Sequence, residues 1–396
     1  MDVTNRDFAC EGLKYVQYLY QATKMKPRCL FPPHQFFVEA TNICNLKCEM
    51  CIQDKMKRPK GVMELALMKK VIDEVCTFDP FFDFCRQGEP LINKNLPEMI
   101  EYASQKGMTK TRLITNGTLL TEEVSERLIK GGLRKINISF NGYDKESYER
   151  IQKGAKYERT VKNLIDLLKI KYELRSPYPS VEVSIVAYDD LGKNLQRFAR
   201  QFDKLPVDRI RVSQLINFFG SNEHPRLNEN IKMDHRAWPS CKVPFRFFNI
   251  NWDGSVTPCI VDYDAKCVVG NVHNNSVMEI WNNETLARFR GWHIDKRFDE
   301  IEKYYGNDFC TRCSNLWADP GTNGPQYPRD LESGLDDFFK KDRKGEDGVK
   351  LMAGNFEKDI FRSKKELDSI FSEFIKHKDV IENEILTAAL PTKGNC

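Results

Sequence analysis

Between residues 36 and 217, six short runs rich in β-branched and aromatic residues alternate with longer stretches of helical periodicity. No other feature restricts the fold as tightly. The candidate strands are Phe36–Thr41, Phe81–Cys85, Thr111–Thr115, Lys135–Phe140, Ser180–Tyr188 and Arg209–Ile216. Between them, Met63–Thr77, Lys94–Lys106, Glu122–Lys130, Lys156–Leu174 and Leu191–Leu205 repeat apolar residues at the spacing of one helix face. Such alternation builds a parallel sheet covered by helices. Six repeats are too few for a closed eight-stranded barrel, so the pattern alone leaves a doubly wound sheet and a partial barrel both open.

The first candidate strand runs directly into Glu39-Ala-Thr-Asn-Ile-Cys44-Asn-Leu-Lys-Cys48-Glu-Met-Cys51. Three cysteines this close cannot staple a large domain, but a short loop lets their sulfurs converge on one soft metal centre. No fourth cysteine or histidine follows before Cys76. A zinc knuckle or a chance cluster is the plain alternative, although zinc sites usually combine two C-x2-C hooks into four ligands. An iron–sulfur cube on three thiolates would instead leave one iron open to a non-protein ligand.

The loop resembles the C-x3-C-x-Φ-C signature of the radical S-adenosylmethionine (radical SAM) superfamily, with Met50 in the Φ place. The resemblance implies a partial (βα)6 TIM-type barrel and a [4Fe–4S] cluster held by Cys44, Cys48 and Cys51, with SAM at its open iron. After the second strand comes Gly88-Glu89-Pro90, similar to the family's GEP-type motif, which implies a hold on the SAM amino group. The third and fourth strands end in Thr115-Asn116-Gly117 and Ser139-Phe-Asn141-Gly142. By themselves these Asn-Gly pairs read as turns. By resemblance, Thr115, Asn116, Ser139 and Asn141 join Met50, Gly88, Glu89 and Pro90 as candidate SAM contacts. Gln152 stands where relatives commonly carry an arginine for the SAM carboxylate, leaving Arg150 or Lys153 as substitutes.

Beyond residue 217 the pattern changes. Asp253-Gly254 between β-type residues signals a hairpin. Cys241, Cys259, Cys310 and Cys313 supply four soft ligands, suited to zinc or to a fully ligated cluster. The Gly-x4-Cys unit at 254–259, Gly270-Asn-Val, the Glu279-Ile-Trp segment and the closing C-x2-C resemble the SPASM/twitch extension of radical SAM enzymes. That resemblance implies one auxiliary [4Fe–4S] cluster, as in the twitch-type aminocyclitol dehydrogenase/epimerase group. Cys267, eight residues past Cys259, is either a buried thiol or a catalytic hydrogen-atom donor. Cys85 has the same ambiguity. None of the six histidines falls in a metal-ligand spacing.

The resulting division is an N-terminal helical extension over 1–35, a radical SAM barrel over 36–217 and an auxiliary-cluster domain over 218–317. A linker and helical extension over 318–396 follow, with Phe356, Ile360, Leu367, Ile370, Phe374 and Ile381 near helical spacing. Net charge is +4 from 61 basic and 57 acidic residues, which implies no nucleic-acid partner. No apolar run is long enough to cross a membrane, and no signal-peptide core opens the chain, so a cytoplasmic protein is expected. Thirteen cysteines then point to metal rather than disulfides.

By resemblance, SAM is cleaved to a 5′-deoxyadenosyl radical that removes hydrogen from an unactivated carbon, with flavodoxin or ferredoxin as electron donor. The expected reaction is oxidation or epimerisation at a hydroxyl-bearing carbon of a sugar- or aminocyclitol-type small molecule. The alternative is a peptide maturase forming thioether or carbon–carbon bonds, against which stands the short segment before the first strand. A metal-binding module without turnover is the non-enzymatic reading.

Overall fold

The computed structural model describes residues 24–188, 191–213, 215, 240–308, 310, 311 and 313, with isolated positions between 17 and 21 and between 351 and 383. All six anticipated strands form: β1 Gln35–Val38, β2 Phe81–Phe84, β3 Thr111–Thr115, β4 Lys135–Ser139, β5 Ser180–Val186 and β6 Arg209–Ser213. They pair in parallel and in strict chain order. A doubly wound sheet would reverse that order at β1. Succession without reversal is the barrel solution, in which each right-handed crossover returns its helix to the same face.

The crossover helices are α1 Leu65–Val75, α2 Leu96–Gln105, α3 Glu122–Lys130, α5 Tyr157–Glu173 and α6 Leu191–Arg200, with a short α4 at Lys145–Ile151. Local chemistry starts them where the sequence says. Thr121 caps α3 by accepting from Val124 N at 3.3 Å, and Glu122 and Glu123 favour the positive end of the helix. Asp144 and Ser147 form a reciprocal capping box on α4.

Period-two alternation gives the sheet two different faces. Phe36, Val38, Phe82, Phe84, Leu113, Ile136, Ile138, Val183 and Ile210 pack into one core with helix residues such as Met68, Ile100, Leu128 and Leu164. Full burial of each such side chain contributes about 1.5–3 kcal/mol. The opposite face mixes polar side chains with a few aromatics such as Phe37 and Phe247. Asp83 accepts from Arg112 at 2.9 and 2.5 Å and from Gln35 at 2.6 Å, while Asn137 donates to Glu182 and accepts from Ser184 at 2.8 Å. The partial barrel is therefore apolar towards its helices and hydrogen-bonded on its other side.

The boundary drawn at residue 217 falls outside the described residues. Beyond it, β7 Phe247–Ile250 pairs in parallel with the free side of β1, and the expected hairpin carries the chain to β8 Ser255–Thr257 and then β9 Gly270–Asn271. The auxiliary segment thus continues the barrel's own sheet. It then folds α7 Val277–Trp281, started by a Ser276/Glu279 capping box, α8 Glu284–Ile294 and α9 Phe298–Tyr305. At the far edge, β10 Leu351–Ala353 pairs in parallel with β6. The expected N-terminal helix and the helix over 356–381 lie largely outside the described residues, as do Cys10 and Cys396. Among the described residues, no helix is long and apolar enough to cross a membrane.

Candidate iron–sulfur and SAM-binding sites

The cysteine loop leaves β1 and is held in place by polar contacts. Asn42, fully buried, donates to Pro59 O at 2.8 Å and accepts from Gly61 N at 2.8 Å, which closes the loop's base. Asn45 donates to Thr118 Oγ1 at 2.8 Å and accepts from Asn116 Nδ2 at 3.0 Å, tying the loop to the end of β3. A two-residue ladder pairs Lys47-Cys48 with Gln152-Lys153. Cys44 and Cys48 are half-buried, and Cys51 keeps an exposed edge.

The three sulfurs sense one another. Burial pushes the Cys44 thiol up to about 11, with the charges of Glu89 and Cys51 adding to it, and pushes Cys48 and Cys51 up as well. Mutual repulsion of this kind is what a bound cation reverses. Among the described residues, no three cysteine, histidine or acidic side chains close on a point that a single ion would occupy.

The turn after β2 presses on this loop. Gly88 has φ +93°, and a side chain there would meet Thr41 O at 2.5 Å and Ile43 O at 2.8 Å. Glu89 N donates to Ile43 O at 2.8 Å. Only glycine permits that approach. The Glu89 carboxylate is buried and accepts from Thr115 Oγ1 at 2.7 Å, Asn116 N at 2.7 Å and Leu91 N at 3.1 Å. Burial pushes its pKa up against these bonds. Glu89 therefore braces the β2 and β3 loops together, with Pro90 opening a short 3₁₀ turn behind it.

Of the other expected SAM contacts, Thr115 and Asn116 are buried in this network. Asn141 accepts from Val186 N at 2.8 Å, and its own backbone N donates to Gln152 Oε1 at 2.6 Å. Met50 and Ser139 are half-buried. Gln152 is fully enclosed and pins the β4 loop. The suggested substitutes are engaged elsewhere: Arg150 donates to Glu49 at 2.8 Å, and Lys153 lies 3.5 Å from the same carboxylate.

The second cysteine set lines a different kind of space. Cys241, Cys259, Cys310 and Cys313 line a small cavity together with Val243, Pro244, Pro258, Asp262, Phe289 and His293. Burial pushes Cys259 up to about 12 and Cys241 and Cys310 well above the usual thiol range, with the neighbouring thiols adding to each. Phe289, Trp292, Phe298 and Ile301 from α8 and α9 form a separate small core behind the thiols. Four thiols converging on one space are the donor set of a zinc ion or of a fully ligated cluster.

Cys267, the candidate hydrogen-atom donor, belongs to this cavity wall. It is 2% exposed, its backbone N donates to Asp262 at 2.8 Å, and Asn307 approaches its sulfur at 3.5 Å. The fold packs it with Phe289 and Cys313 and not among the loops that end β1–β4. Cys85 is half-buried, its thiol pushed up to about 12 by burial.

Residues that the sequence did not single out weld the two sites together. Arg86 donates to Thr257 Oγ1 at 3.1 Å, Asp262 O at 3.2 Å and Ile260 O at 3.4 Å, so a side chain beside Gly88 grips the strand end that carries Cys259. Arg58 makes a buried two-pronged ion pair with Glu39 and donates to Tyr263 O at 2.6 Å. The Trp252 ring lies where a side chain on Gly61 would have to stand.

A partial barrel with three thiols after its first strand, followed by a four-thiol domain on the same sheet, defines a class. Residues 38–179 match the family model described as the radical SAM superfamily, and residues 241–314 match that of an iron–sulfur cluster-binding domain, SPASM. The chain belongs to the radical SAM enzymes that carry a SPASM-type domain. Its radical SAM domain implies a [4Fe–4S] cluster with SAM, and its SPASM domain implies auxiliary iron–sulfur.

The tungsten-containing aldehyde ferredoxin oxidoreductase cofactor-modifying protein of Pyrococcus furiosus is 27% identical over 70% of this chain and 86% of its own. The S-adenosyl-L-methionine-dependent 2-deoxy-scyllo-inosamine dehydrogenase of Niallia circulans is 24% identical over 70% of this chain and 92% of its own. A PqqA peptide cyclase of Bradyrhizobium diazoefficiens is 26% identical over 65% and 76%. Among solved structures, anSMEcpe with bound AdoMet covers 90% of this chain and 99% of its own at a TM-score of 0.52 and 14% identity, a likeness of fold.

Proposed function

We propose that Cys44, Cys48 and Cys51 hold the SAM-binding cluster, that Cys241, Cys259, Cys310 and Cys313 hold one auxiliary [4Fe–4S] cluster, and that the enzyme oxidises a hydroxyl-bearing carbon of a sugar- or aminocyclitol-type small molecule. The observation that carries this reading is the weld between the sites. Arg86 and Arg58 fix the Cys259 strand end directly against the loops assigned to SAM. Bound there, SAM and the two clusters supply a hydrogen-abstracting radical and an acceptor for the electron that alcohol oxidation leaves behind.

The chain's own residues position and shield. Gly88 lets the β2 loop lie on the cysteine loop, and Glu89 holds Thr115 and Asn116 where a SAM-contacting edge is expected. Met50 and Ser139 keep partly open surfaces beside them. On the polar barrel face, Asn137, Ser184 and Arg211 offer groups able to orient hydroxyls. The enclosure of Cys267 weighs against its returning a hydrogen atom, and so favours oxidation over epimerisation. A soluble electron donor of the flavodoxin or ferredoxin type is part of the proposal.

Peptide maturation is the second reading, supported by the match to a PqqA peptide cyclase. One assay separates them. The reconstituted enzyme is given SAM, dithionite and either a panel of cyclitols and sugars or a panel of peptides. Acceleration of 5′-deoxyadenosine release by the first panel, with a ketone trapped by hydroxylamine, is the expected result. Acceleration by peptides alone would overturn the proposal.

A further inference from the structure

His293 stands on α8 inside the wall of the auxiliary cavity, 2% exposed. Phe289 and Phe298 hold its ring, at 4.9 and 5.1 Å between ring centres. Nε2 lies 3.5 Å from Cys310 Sγ, and Nδ1 has no hydrogen-bond partner among the described residues. A buried polar atom left unpaired costs about 1–3 kcal/mol. An imidazole in that position is therefore a poor choice for packing alone.

An aromatic cage favours the neutral ring, which carries a single N–H. With hydrogen on Nδ1, the bare Nε2 lone pair would face an electron-rich sulfur. With hydrogen on Nε2, the same contact becomes an N–H···S bond. A thiolate at Cys310 selects the second tautomer, and Nδ1 is then the atom left without a partner.

We propose that His293 Nε2–H donates a hydrogen bond to the Cys310 thiolate of the bound auxiliary cluster and raises that cluster's reduction potential. The inference rests on the auxiliary-cluster reading above. Hydrogen bonds to ligand sulfurs draw negative charge from a cluster and favour its reduced form. That suits a centre placed to take up an electron. His293 touches neither substrate nor SAM in this reading, and acts as a positioning residue through Cys310.

The test is EPR-monitored redox titration of the full chain carrying Cys44→Ala, Cys48→Ala and Cys51→Ala, in which only the auxiliary site can hold a cluster. His293→Phe keeps the ring's bulk and removes the donor, whereas His293→Gln keeps a donor. The expected result is a shift of the midpoint to lower potential in H293F, largely reversed in H293Q. A deuterium coupling near the cluster after exchange into D2O should also disappear in H293F.

An unchanged midpoint in H293F with the cluster in place overturns the proposal. So does a nitrogen coupling strong enough for a direct iron–nitrogen bond, which would make His293 a ligand. Loss of the cluster from both H293F and H293Q would assign His293 to packing and overturn it too. If the parent with His293 intact binds no cluster, the auxiliary-site reading itself fails, and the hydrogen bond fails with it.

Discussion

The two cysteine sets proposed as cluster ligands are built in opposite ways. Cys44, Cys48 and Cys51 come from one loop, shaped by asparagine side chains and backbone amides, with an exposed edge at Cys51. Cys241, Cys259, Cys310 and Cys313 come from three separate segments and face one another across a cavity whose wall is mainly apolar, with Asp262 and His293 as its charged or polar members. A polar, part-open loop admits a further ligand. An apolar enclosure excludes water and suits electrons. The contrast in surroundings thus matches the contrast in the proposed ligand number, three against four.

The comparison breaks most sharply if the first loop is silenced. Replacing Cys44, Cys48 and Cys51 by Ala should abolish 5′-deoxyadenosine formation and remove about half of the reconstituted iron, one cluster of two. Iron analysis beside a SAM-cleavage assay reads both, and retained cleavage would refute the assignment.

Next in size is the strut between the sites. Arg58→Ala leaves the Glu39 carboxylate buried without a counter-charge, held only by the Trp252 N–H at 3.1 Å, which should cost about 3–5 kcal/mol. Denaturant unfolding would register it, and a loss below about 1 kcal/mol, the level of an exposed pair, would show that the weld is not structural. Gly88→Ala forces a side chain against Thr41 O at a positive φ. It should cost about 1–3 kcal/mol and weaken SAM binding while leaving the auxiliary cluster's EPR signal unchanged. A signal altered at both centres would mean that the two sites cannot be perturbed separately.

Much of this was legible before any coordinates. The strands were readable because period-two alternation is local, and α3 spans Glu122–Lys130 as its periodicity implies. The C-x3-C-x2-C loop and the closing C-x2-C stand out by spacing, whereas grouping Cys241 and Cys259 with Cys310 and Cys313 took the resemblance to a family. The weld stands out in neither way. Arg86 meets Ile260 across 174 positions, and Arg58 meets Tyr263 across 205. No local period encodes such a pair. His293 escaped for a related reason: it reaches Cys310 only through the packing of α8 and α9, and no ligand-like spacing marks it. Gln152 looked like a missing arginine, and its buried amide instead positions Asn141.

The smallest expected effect sharpens that last point. Arg150→Ala removes an exposed pair with Glu49 and should change stability by less than about 1 kcal/mol. SAM affinity, measured by calorimetry on the reconstituted protein, should stay the same within error. A large loss would restore Arg150 as a contact to the SAM carboxylate.

The central claim is one open centre and one closed centre in a single sheet. EPR of the reduced, fully reconstituted protein tests it directly, recorded before and after addition of SAM. Two [4Fe–4S] signals are predicted, of which one shifts with SAM and vanishes in the Cys44/Cys48/Cys51 variant while the other stays in place. A single signal, or two that both respond to SAM, would contradict the account.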